Sequence, residues 1–536
     1  MNTPRRNPEG EEAGKPINAY DAVTYPSHPY RDTHPDHLHA LARLARLRPV
    51  APDRARILEI GCASGGNLIP IAQQCPGAEC IGVDLSDRQI ADGQQRIDAL
   101  GLDNIQLRPM NLCDLDPSFG HFDYVLCHGV FSWVPATVQS RILEICRDHL
   151  SPTGVAYISY NANPGWFMRG MLRDMMLYHI RDVSQPERRA ARARELLQFL
   201  VEGTDGQNDP YSLFLRQESA LLSRQPDAYL FHDHLEEHNQ PMFYFQFIER
   251  LQQHRLQFLT ETNPADMFKS NLPPQAARKL ASLTNDVHQR NQYADFISNR
   301  MFHRSVICHA DRKPRRKISE QALDGLRVAG RFERSDGRSE AITDPTGELT
   351  VRSGTGVTIK TSDPGTKAIL GALNAAYPAT RTTRELLAMI REQIPCGALS
   401  GKHGQLDWER FIGIEILRLL SQGALEFRYL PDRFSTSVSE RPVASPLARL
   451  QAQEQALVTT ARHALYRCPP FVQALLPMVD GTRTREDIGR WIGEQSQQGH
   501  ITLNVVGTIP EDKDSLHQTA ADQALAELAR AGLLVG

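Results

Sequence analysis

Residues 57–70, ILEIGCASGGNLIP, decide the fold that this sequence predicts. The apolar run at its start predicts a buried strand, the glycine-containing centre predicts a sharp turn, and the residues after Asn67 predict a helix. A strand that turns over glycines into a helix commonly holds a nucleotide-like cofactor at the helix N-terminus. The first question is therefore which cofactor this turn can accept.

Strand and helix signals alternate around this turn from residue 56 to residue 161. The apolar runs are RILEI, AECIGVDL, NIQLRPM, FDYVLCH and GVAYISY, and helical stretches such as SDRQIADGQQRIDAL and PATVQSRILEICRDHL lie between them. Ser86 is a suitable N-cap for the first of these helices, and Gly101 follows its last apolar residue. This order predicts an α/β fold with a mostly parallel sheet covered by helices on both faces.

Length and composition bound the remaining possibilities. A chain of 536 residues is too long for one hydrophobic core, and a net charge of -3 gives no basic field for a nucleic-acid partner. The nine cysteines form no CxxC pair, which is typical of reduced thiols. The polar N-terminus lacks the apolar region of a signal peptide. The sequence also contains no run of about 18 apolar residues, the length that is needed to span a membrane. These features predict a cytoplasmic protein without membrane insertion.

The glycine spacing of the turn discriminates between two cofactor classes. A dinucleotide site uses GxGxxG, whose middle glycine lets the backbone approach a pyrophosphate. Three residues separate Gly61 from Gly65 here, so the middle glycine is missing. S-adenosylmethionine has no phosphate, and its loop needs only to curve past the amino-acid carboxylate and the ribose. The spacing therefore favours S-adenosylmethionine.

Polar residues at the ends of successive strands support the same cofactor. Glu59 can orient the cofactor's ammonium group, and Asp84, about 20 residues after the turn, can accept the ribose hydroxyls. Asn111 is expected to contact the adenine and Leu112 to stack below it, with His128 and Gly129 beside the sulfonium. The predicted cofactor-binding residues are Glu59, Gly61, Cys62, Ala63, Gly65, Asn67, Asp84, Leu85, Asn111, Leu112, His128 and Gly129.

The motifs carry a family resemblance. ILEIGCASGGNLIP, IGVDLS, NLCDLD and FDYVLCHGVFSWVP resemble motifs I to IV of class I S-adenosylmethionine-dependent methyltransferases. YPSHPYRDTHP, SYNANPGW, and the segments 229–261 and 292–309 resemble a bacterial subgroup with a methyltransferase regulatory domain, best known for lysine methyltransferases of rickettsial outer-membrane proteins. The resemblance covers residues 19–310 well and the C-terminal third loosely. It implies a Rossmann-like, seven-stranded sheet, S-adenosylmethionine, and a protein substrate of the outer-membrane type. Many class I enzymes have an acid where Asn111 stands, which leaves Asp114 as the alternative adenine contact.

Five parts are expected along the chain. They are a disordered N-terminus (1–18), the methyltransferase domain (19–182), a helical regulatory or dimerisation domain (183–312), a middle winged-helix-like module (313–430) and a C-terminal winged-helix-like module (431–536). The last two follow one design: ATRTTRELLAMI (379–390) aligns with GTRTREDIGRWI (481–492), and each is followed by a helix, a glycine and a short strand. The helical domain makes a homodimer a candidate assembly.

Aromatic and polar residues after the fourth and fifth strands are the candidates for catalysis. Tyr160 and Asn161 are expected to orient the acceptor, and His128 to relay its proton, although His128 could also face the cofactor without a proton role. Trp133 and Trp166 are either pocket walls or core aromatics. The segment YPSHPYRDTHP is either a lid or a lead into the first helix, and the lid candidates are Tyr25, Thr33, His34 and, after the fifth strand, Trp166.

Other motifs point to competing functions. HDHLEEH (232–238) has the H-x-x-E-H spacing of zinc peptidases, but a third ligand cannot be identified, so no metal is predicted. NANPGW lacks the second proline of the motif that DNA amino-methyltransferases use. Two enzymatic hypotheses remain. In the first, the enzyme methylates lysines of a large protein, which the helical and C-terminal domains dock. In the second, it methylates a small molecule or another protein residue, and the appended domains serve dimerisation or regulation. A non-enzymatic cofactor-binding protein is the third.

Overall fold

The protein was analysed as a computed structural model, which describes residues 27–268, 272–335, 342, 347–393, 408–502 and 512–536. The predicted N-terminal part (1–18) and the lid candidate Tyr25 lie outside the described residues. A first helix, α1 (Pro35–Leu44), precedes the sheet, and its N-cap is His34, whose Nδ1 accepts a hydrogen bond from the Asp36 backbone N–H at 3.1 Å.

A seven-stranded sheet forms the centre of the molecule. Its strands are β1 (Arg56–Ile60), β2 (Glu79–Asp84), β3 (Ile105–Pro109), β4 (Phe122–Cys127), β5 (Leu150–Asn161), β6 (Leu256–Glu261) and β7 (Phe302–His309). The spatial order is β3-β2-β1-β4-β5-β7-β6. Strands β1 to β5 pair in parallel, and β7 runs antiparallel to both of its neighbours. The predicted Rossmann-like, mostly parallel sheet is confirmed.

Three helices connect the parallel strands, namely α2 (Leu68–Gln74), α3 (Asp87–Leu100) and α4 (Ala136–His149). The Ser86 side chain accepts a hydrogen bond from the Gln89 N–H and thereby caps α3. Gly101 ends this helix in the left-handed conformation, with φ of 62°. The start and the end of α3 thus follow from the local sequence.

The chain from Trp166 to His309, which includes the end of the predicted methyltransferase domain and most of the predicted helical domain (183–312), contributes both helices and strands. Its helices are α5 (Trp166–Ile180), α6 (Pro186–Gly203), α7 (Pro210–Leu222), α8 (Asp227–His234), α9 (Tyr244–Gln253), α10 (Pro264–Phe268), α11 (Pro274–Leu283) and α12 (Val287–Ser298). The apolar pattern of residues 240–259 predicts one helix, but that helix ends at Gln253 and β6 begins three residues later. Arg255 adopts the left-handed conformation at this break, with φ of 56°. Pairing of β6 with β7 overrides the helical pattern, and both strands belong to the central sheet.

The remaining chain forms two smaller modules. The middle one contains β8 (Arg327–Ala329), β9 (Phe332–Arg334), β10 (Leu349–Ser353), β11 (Thr358–Thr361), α13 (Pro364–Ala376), α14 (Thr383–Gln393), α15 (Trp408–Ser421) and β12 (Glu426–Arg428). The last one contains α16 (Pro446–Glu454), β13 (Leu457–Thr459), β14 (Leu465–Arg467), α17 (Pro470–Leu475), α18 (Arg485–Gln497) and α19 (Lys513–Ala531). The middle module shares a hydrophobic core with α1 and one face of the sheet, whereas the last module has a core of its own.

The repeated design of these modules is visible in their backbone. Thr382 Oγ1 accepts a hydrogen bond from the Glu385 N–H at the start of α14, and Thr484 Oγ1 accepts one from the Asp487 N–H at the start of α18. Gly423 and Gly532 follow α15 and α19 with φ of 71° and 72°. The aligned sequences and the glycines that follow them therefore correspond to equivalent helix starts and helix ends. The boundaries of all five predicted parts stay a prediction.

Candidate functional site

A cavity of about 570 Å³ lies at the carboxyl ends of the five parallel strands. Each of these strands, or the loop after it, contributes to the lining: Glu59, Asp84, Asn111, His128 and Asn161. The residues from β1, β2 and β3 and their loops form what we call the strand end. The other side, the helical end, consists of Trp133, Trp166, Arg169, Tyr229, His232, Asp233 and His234. Ligands of open α/β sheets bind at this edge of the sheet.

The glycine turn after β1 is closely packed against its surroundings. Gly61 has φ of 70°, and a Cβ at this position would lie 2.4 Å from Cγ2 of Val130. A Cβ on Gly66 would lie 2.2 Å from the carbonyl oxygen of Ser27. Both glycines are therefore required, one for its backbone conformation and its contact, the other for its contact alone. Ala63, between them, also has a positive φ, of 49°.

Glu59 carries a buried carboxyl group with one unsatisfied oxygen. Its Oε1 accepts a hydrogen bond from Asn67 Nδ2 at 2.6 Å, whereas Oε2 is buried and has no hydrogen-bond partner among the described residues. Burial raises the pKa of Glu59 to about 8, with a smaller contribution from the charge of Asp84 and an opposing one from the Asn67 hydrogen bond. A cationic group entering the cavity would satisfy Oε2 and favour the carboxylate.

Asp84 connects the glycine turn to the loop after β2. Its Oδ2 accepts a hydrogen bond from the Ala63 N–H at 2.9 Å, and its Oδ1 accepts one from the Ser86 N–H at 3.0 Å. Asp84 stands at the end of β2 and lines the cavity. Asn111 Oδ1 accepts from the Cys113 N–H at 3.0 Å, and Asn111 lines the cavity. The alternative adenine contact, Asp114, is exposed after β3 and is not part of this lining.

His128 follows β4 and is held by two tyrosines. Its Nδ1 lies 2.8 Å from the hydroxyl of Tyr157, and its ring lies 3.8 Å from the ring of Tyr30. Burial lowers the pKa of His128 to about 4, helped by the charge of Arg304 and opposed by that of Asp32. The imidazole is therefore neutral near pH 7.

The loop after β4 joins the two ends of the cavity. Val130 packs against Gly61 at the strand end, and Trp133 meets Trp166 at the helical end, with 6.0 Å between ring centroids. Trp166 in turn lies 6.2 Å from the ring of His234, which lies 5.9 Å from that of Tyr229. The helical end is thus a chamber with continuous aromatic walls.

Buried polar groups of α8 face this chamber. Oδ2 of Asp233 and both ring nitrogens of His234 are buried without hydrogen-bond partners within the part of the chain that the structure describes. Burial raises the pKa of Asp233 to about 6, against the charges of His232 and Arg169. Burial also lowers the pKa of His234 to about 4, together with the charges of Arg169 and Arg173. Near pH 7 the chamber therefore contains a carboxylate and a neutral imidazole.

Most residues that the sequence singled out are brought together here. Those that line the cavity are Glu59, Gly61, Cys62, Ala63, Asn67, Asp84, Leu85, Asn111, Leu112, His128, Gly129, Trp133, Asn161 and Trp166. Gly65 lies behind the turn, against the side chains of Ile69 and Leu107. Thr33 is buried and donates to Asn67 Oδ1 at 3.0 Å, while His34 caps α1. Thr33 and His34 therefore support the turn from behind and do not cover the cavity.

Tyr160 requires a correction. Its side chain lies in the core on the other face of β5, stacked 5.0 Å from the ring of His303 and 4.3 Å from that of Phe247. Successive residues of a strand point to opposite faces, so Tyr160 and Asn161 cannot both reach the cavity. Asn161 does reach it. The acceptor-orienting role expected of Tyr160 is therefore not supported.

The residues that sequence reasoning missed are Tyr30, Arg169, Tyr229, Asp233 and His234. Tyr30 belongs to the segment YPSHPYRDTHP, from which other residues were chosen. Asp233 and His234 lie in HDHLEEH, whose chemistry was assessed only for zinc. That hypothesis needs His234 and His238 on one helical face, but α8 ends at His234. Among the described residues, no group of three or more potential ligands could hold a metal ion.

Three protein families match parts of the chain. They are described as "Methyltransferase domain" for residues 58–156, "Predicted methyltransferase regulatory domain" for residues 226–309, and "PKMT, C-terminal winged helix domain" for residues 440–533. RP789, an uncharacterized protein of Rickettsia prowazekii, is 33% identical over 506 residues, which cover 94% of this chain and 90% of the relative. PKMT2 from Rickettsia typhi is similar in structure, with a TM-score of 0.83 and 29% identity over 96% of this chain and 100% of that one.

The chain belongs to the class I S-adenosylmethionine-dependent methyltransferases with a regulatory domain and a PKMT-type winged-helix domain. The R. typhi PKMT2 structure is also known in complex with AdoHcy, with a TM-score of 0.82 to this chain. S-adenosylmethionine is accordingly the cofactor of this methyltransferase, as the glycine spacing predicted. Among the described residues, the methyltransferase has no helix with the length and hydropathy needed to cross a bilayer.

Proposed function

We propose that this methyltransferase N-methylates lysine side chains of a protein substrate. The observation that carries the proposal is the chamber at the helical end, where Trp133, Trp166 and Tyr229 line the same cavity as Asp233, whose Oδ2 is buried. A lysine side chain has the matching chemistry, a long apolar stem that ends in a cation. Aromatic faces attract a cation by about 0.5–2 kcal/mol, and the carboxylate supplies the counter-charge.

Methyl transfer to lysine also requires removal of a proton. The ammonium has an ordinary pKa of about 10.4 and no lone pair, so the amine must be deprotonated before it attacks. A dry aromatic chamber lowers the amine's pKa because it disfavours the charged form. Asp233, whose pKa of about 6 lies above that of an ordinary aspartate, is a stronger base than usual. We therefore assign to Asp233 the roles of binding the ammonium and accepting its proton.

Asn161 and His128 complete the acceptor side of the proposal. Asn161 Nδ2 donates to Asn239 Oδ1 at 2.9 Å, which leaves the Asn161 carbonyl oxygen as the acceptor for an N–H of the substrate amine. His128 is neutral and hydrogen-bonded to Tyr157, and the proton relay predicted for it stays a prediction. Alignment of the amine with the methyl–sulfur axis can contribute about 7–11 kcal/mol to the lowering of the barrier.

The cofactor contacts at the strand end belong to the same proposal. S-adenosylmethionine supplies a methyl group on a positively charged sulfur, which leaves as a neutral thioether. We assign the cofactor's ammonium group to Glu59, its ribose hydroxyls to Asp84, and its adenine to Asn111 and Leu112. The unsatisfied oxygen of Glu59 and the position of Asp84 in the cavity lining at the end of β2 support this assignment.

The type of substrate, the location and the assembly complete the proposal. An outer-membrane-type protein as acceptor rests on the family resemblance. A cytoplasmic location rests on the reduced state of the cysteines, since the eight described ones are all unpaired. A homodimer is supported by α5 and α6, where Phe167, Tyr178 and Phe199 expose 58%, 69% and 67% of their surface. Sedimentation of the full chain tests the dimer.

Labelled methyl transfer tests the lysine proposal. The full chain is incubated with deuterated-methyl S-adenosylmethionine and an envelope-protein extract, and the labelled positions are mapped by mass spectrometry. The matched control is the same extract with its lysines acetylated. We expect label on lysine nitrogens in the first extract and none in the second. Label on other residues, or only in small molecules, would contradict the proposal and favour the alternative acceptor.

A further inference from the structure

Asn67, in the glycine turn, makes hydrogen bonds to three distant parts of the chain. Its Nδ2 donates to Glu59 at 2.6 Å. Its Oδ1 accepts from the Tyr30 N–H at 2.9 Å, from Thr33 Oγ1 at 3.0 Å and from Nε2 of His463 at 2.8 Å. Glu59 is the residue assigned to the cofactor's ammonium group. The orientation of this one amide therefore determines whether Glu59 faces the donor Nδ2 or the acceptor Oδ1.

His463 lies 396 positions further along the chain, in the hairpin between β13 and β14 of the C-terminal module. Its side chain is buried, and its backbone is left-handed, with φ of 55°. Burial lowers the pKa of His463 to about 3, together with the charges of Arg428 and Arg31. Its Nδ1 has no hydrogen-bond partner among the described residues. A neutral ring carries one N–H, and that proton is on Nε2, where Asn67 Oδ1 accepts it.

Ion pairs around His463 hold the hairpin against residues 30–34, which we call the entry segment. Arg462, its neighbour, and Arg31 of the entry segment both pair with Glu426 of β12. Arg462 Nη1 also donates to the Tyr377 hydroxyl at 2.6 Å, and the His463 ring lies 4.9 Å from that of His34. Residues 30–34 thus lie between the glycine turn, the middle module and the C-terminal module. His463 is therefore held in place from several directions.

We propose that His463 is a positioning residue for the cofactor turn, through which the C-terminal module sets the affinity for S-adenosylmethionine. The Nε2–H of His463 acts together with the Tyr30 N–H and Thr33 Oγ1 to hold Oδ1 of the Asn67 amide, and the amide therefore presents Nδ2 to Glu59. Without this donor Oδ1 keeps only the hydrogen bonds from the Tyr30 N–H and Thr33 Oγ1, so the amide is held less firmly and orients Glu59 toward the cavity for a smaller fraction of the time. A protein that displaces the C-terminal module would for the same reason weaken cofactor binding. The inference concerns the cofactor site alone and holds whatever the methyl acceptor is.

A pair of substitutions separates the hydrogen bond from the packing. His463→Ala removes the donor, whereas His463→Gln places an amide N–H near the position of Nε2. Alanine and glutamine are equally unfavourable in the left-handed backbone conformation of this position, so the two variants differ mainly in the hydrogen bond. His463→Asn tolerates that backbone better but is too short to reach Asn67, and it replaces the alanine variant if that variant does not fold. His500→Ala removes an exposed histidine of the same module, whose described hydrogen bonds are to Gln495.

Calorimetric titration of the full chain with S-adenosylhomocysteine measures the affinity of each variant. Thermal unfolding without ligand gives the Tm of each variant separately. We expect about tenfold weaker binding for His463→Ala or His463→Asn, and binding within threefold of wild type for His463→Gln and His500→Ala. Unchanged affinity in the alanine and asparagine variants would overturn the proposal, even if their Tm fell, because His463 would then serve stability alone. Equal weakening in the glutamine variant would overturn it too.

Discussion

The two ends of the cavity contain similar groups but are built differently. Each end has a buried carboxyl group with a raised pKa and one oxygen without a described partner, Glu59 at the strand end and Asp233 at the helical end. The strand end is held by short hydrogen bonds from neighbouring loops. The helical end is assembled from three distant segments through ring contacts. The comparison suggests two cation sites, one for the ammonium group of the cofactor and one for that of the substrate.

The largest expected effect lies at the strand end. Asp84→Asn should weaken S-adenosylhomocysteine binding about 100-fold, because the loss of charge weakens two backbone hydrogen bonds as well as the proposed ribose contacts. Calorimetry measures this effect. Asp87→Asn, an exposed residue of the same loop and helix, is the matched control and should bind normally. Affinity within threefold of wild type in Asp84→Asn would remove the ribose assignment.

A substitution at the helical end should lower turnover and leave cofactor affinity unchanged. Asp233→Asn is expected to lower kcat with a protein substrate about 100-fold, because the amide cannot accept the proton of the ammonium group. The Kd for S-adenosylhomocysteine should stay within twofold. Asp227→Asn, at the start of the same helix and paired with Arg194, serves as control. Equal losses of cofactor affinity and turnover in Asp233→Asn would show that the two ends are not separate sites.

The pKa of Glu59 predicts a pH dependence that is confined to the strand end. Below pH 8 its carboxyl group is protonated in the ligand-free protein, and it must lose that proton to pair with an ammonium group. Affinity for S-adenosylhomocysteine should therefore tighten as pH rises, on the order of tenfold between pH 6 and pH 7, and the gain should shrink near pH 8 as the ligand's amino group loses its charge. Glu59→Gln should remove most of this dependence. A wild-type affinity that is constant across this range would contradict the assignment.

The smallest effect is expected at Tyr160, outside both ends. Its hydroxyl is buried without a hydrogen-bond partner in the described part of the chain, so Tyr160→Phe removes only an unsatisfied group. Turnover should stay within twofold of wild type and the free energy of unfolding within about 1 kcal/mol. Denaturant unfolding and steady-state kinetics check both values. A tenfold loss of kcat would restore Tyr160 to the reaction.

The two ends of the cavity also differ in how well the sequence predicted them. The strand end could be predicted because its residues occur in order after consecutive strands, each next to a local signal such as the glycine turn. The helical end could be predicted only in part: Trp133 and Trp166 follow strands of the sheet, whereas Asp233 and His234 reach the cavity only through tertiary packing of α8. Tyr160 was misplaced because a one-residue choice along β5 selects the opposite face. The break before β6 was missed because Arg255, not a glycine, occupies its left-handed position.

The position of β7 has a consequence for any attempt to divide the chain. The regulatory region, residues 226–309, contains both β6 and β7, and β7 pairs with β5 from Ala156 to Asn161. A fragment that stops before this region would leave the hydrogen-bonding groups of β5 bare along a long apolar edge, a common origin of aggregation. Deleting residues 226–309 would thus yield an insoluble fragment and not a soluble methyltransferase domain.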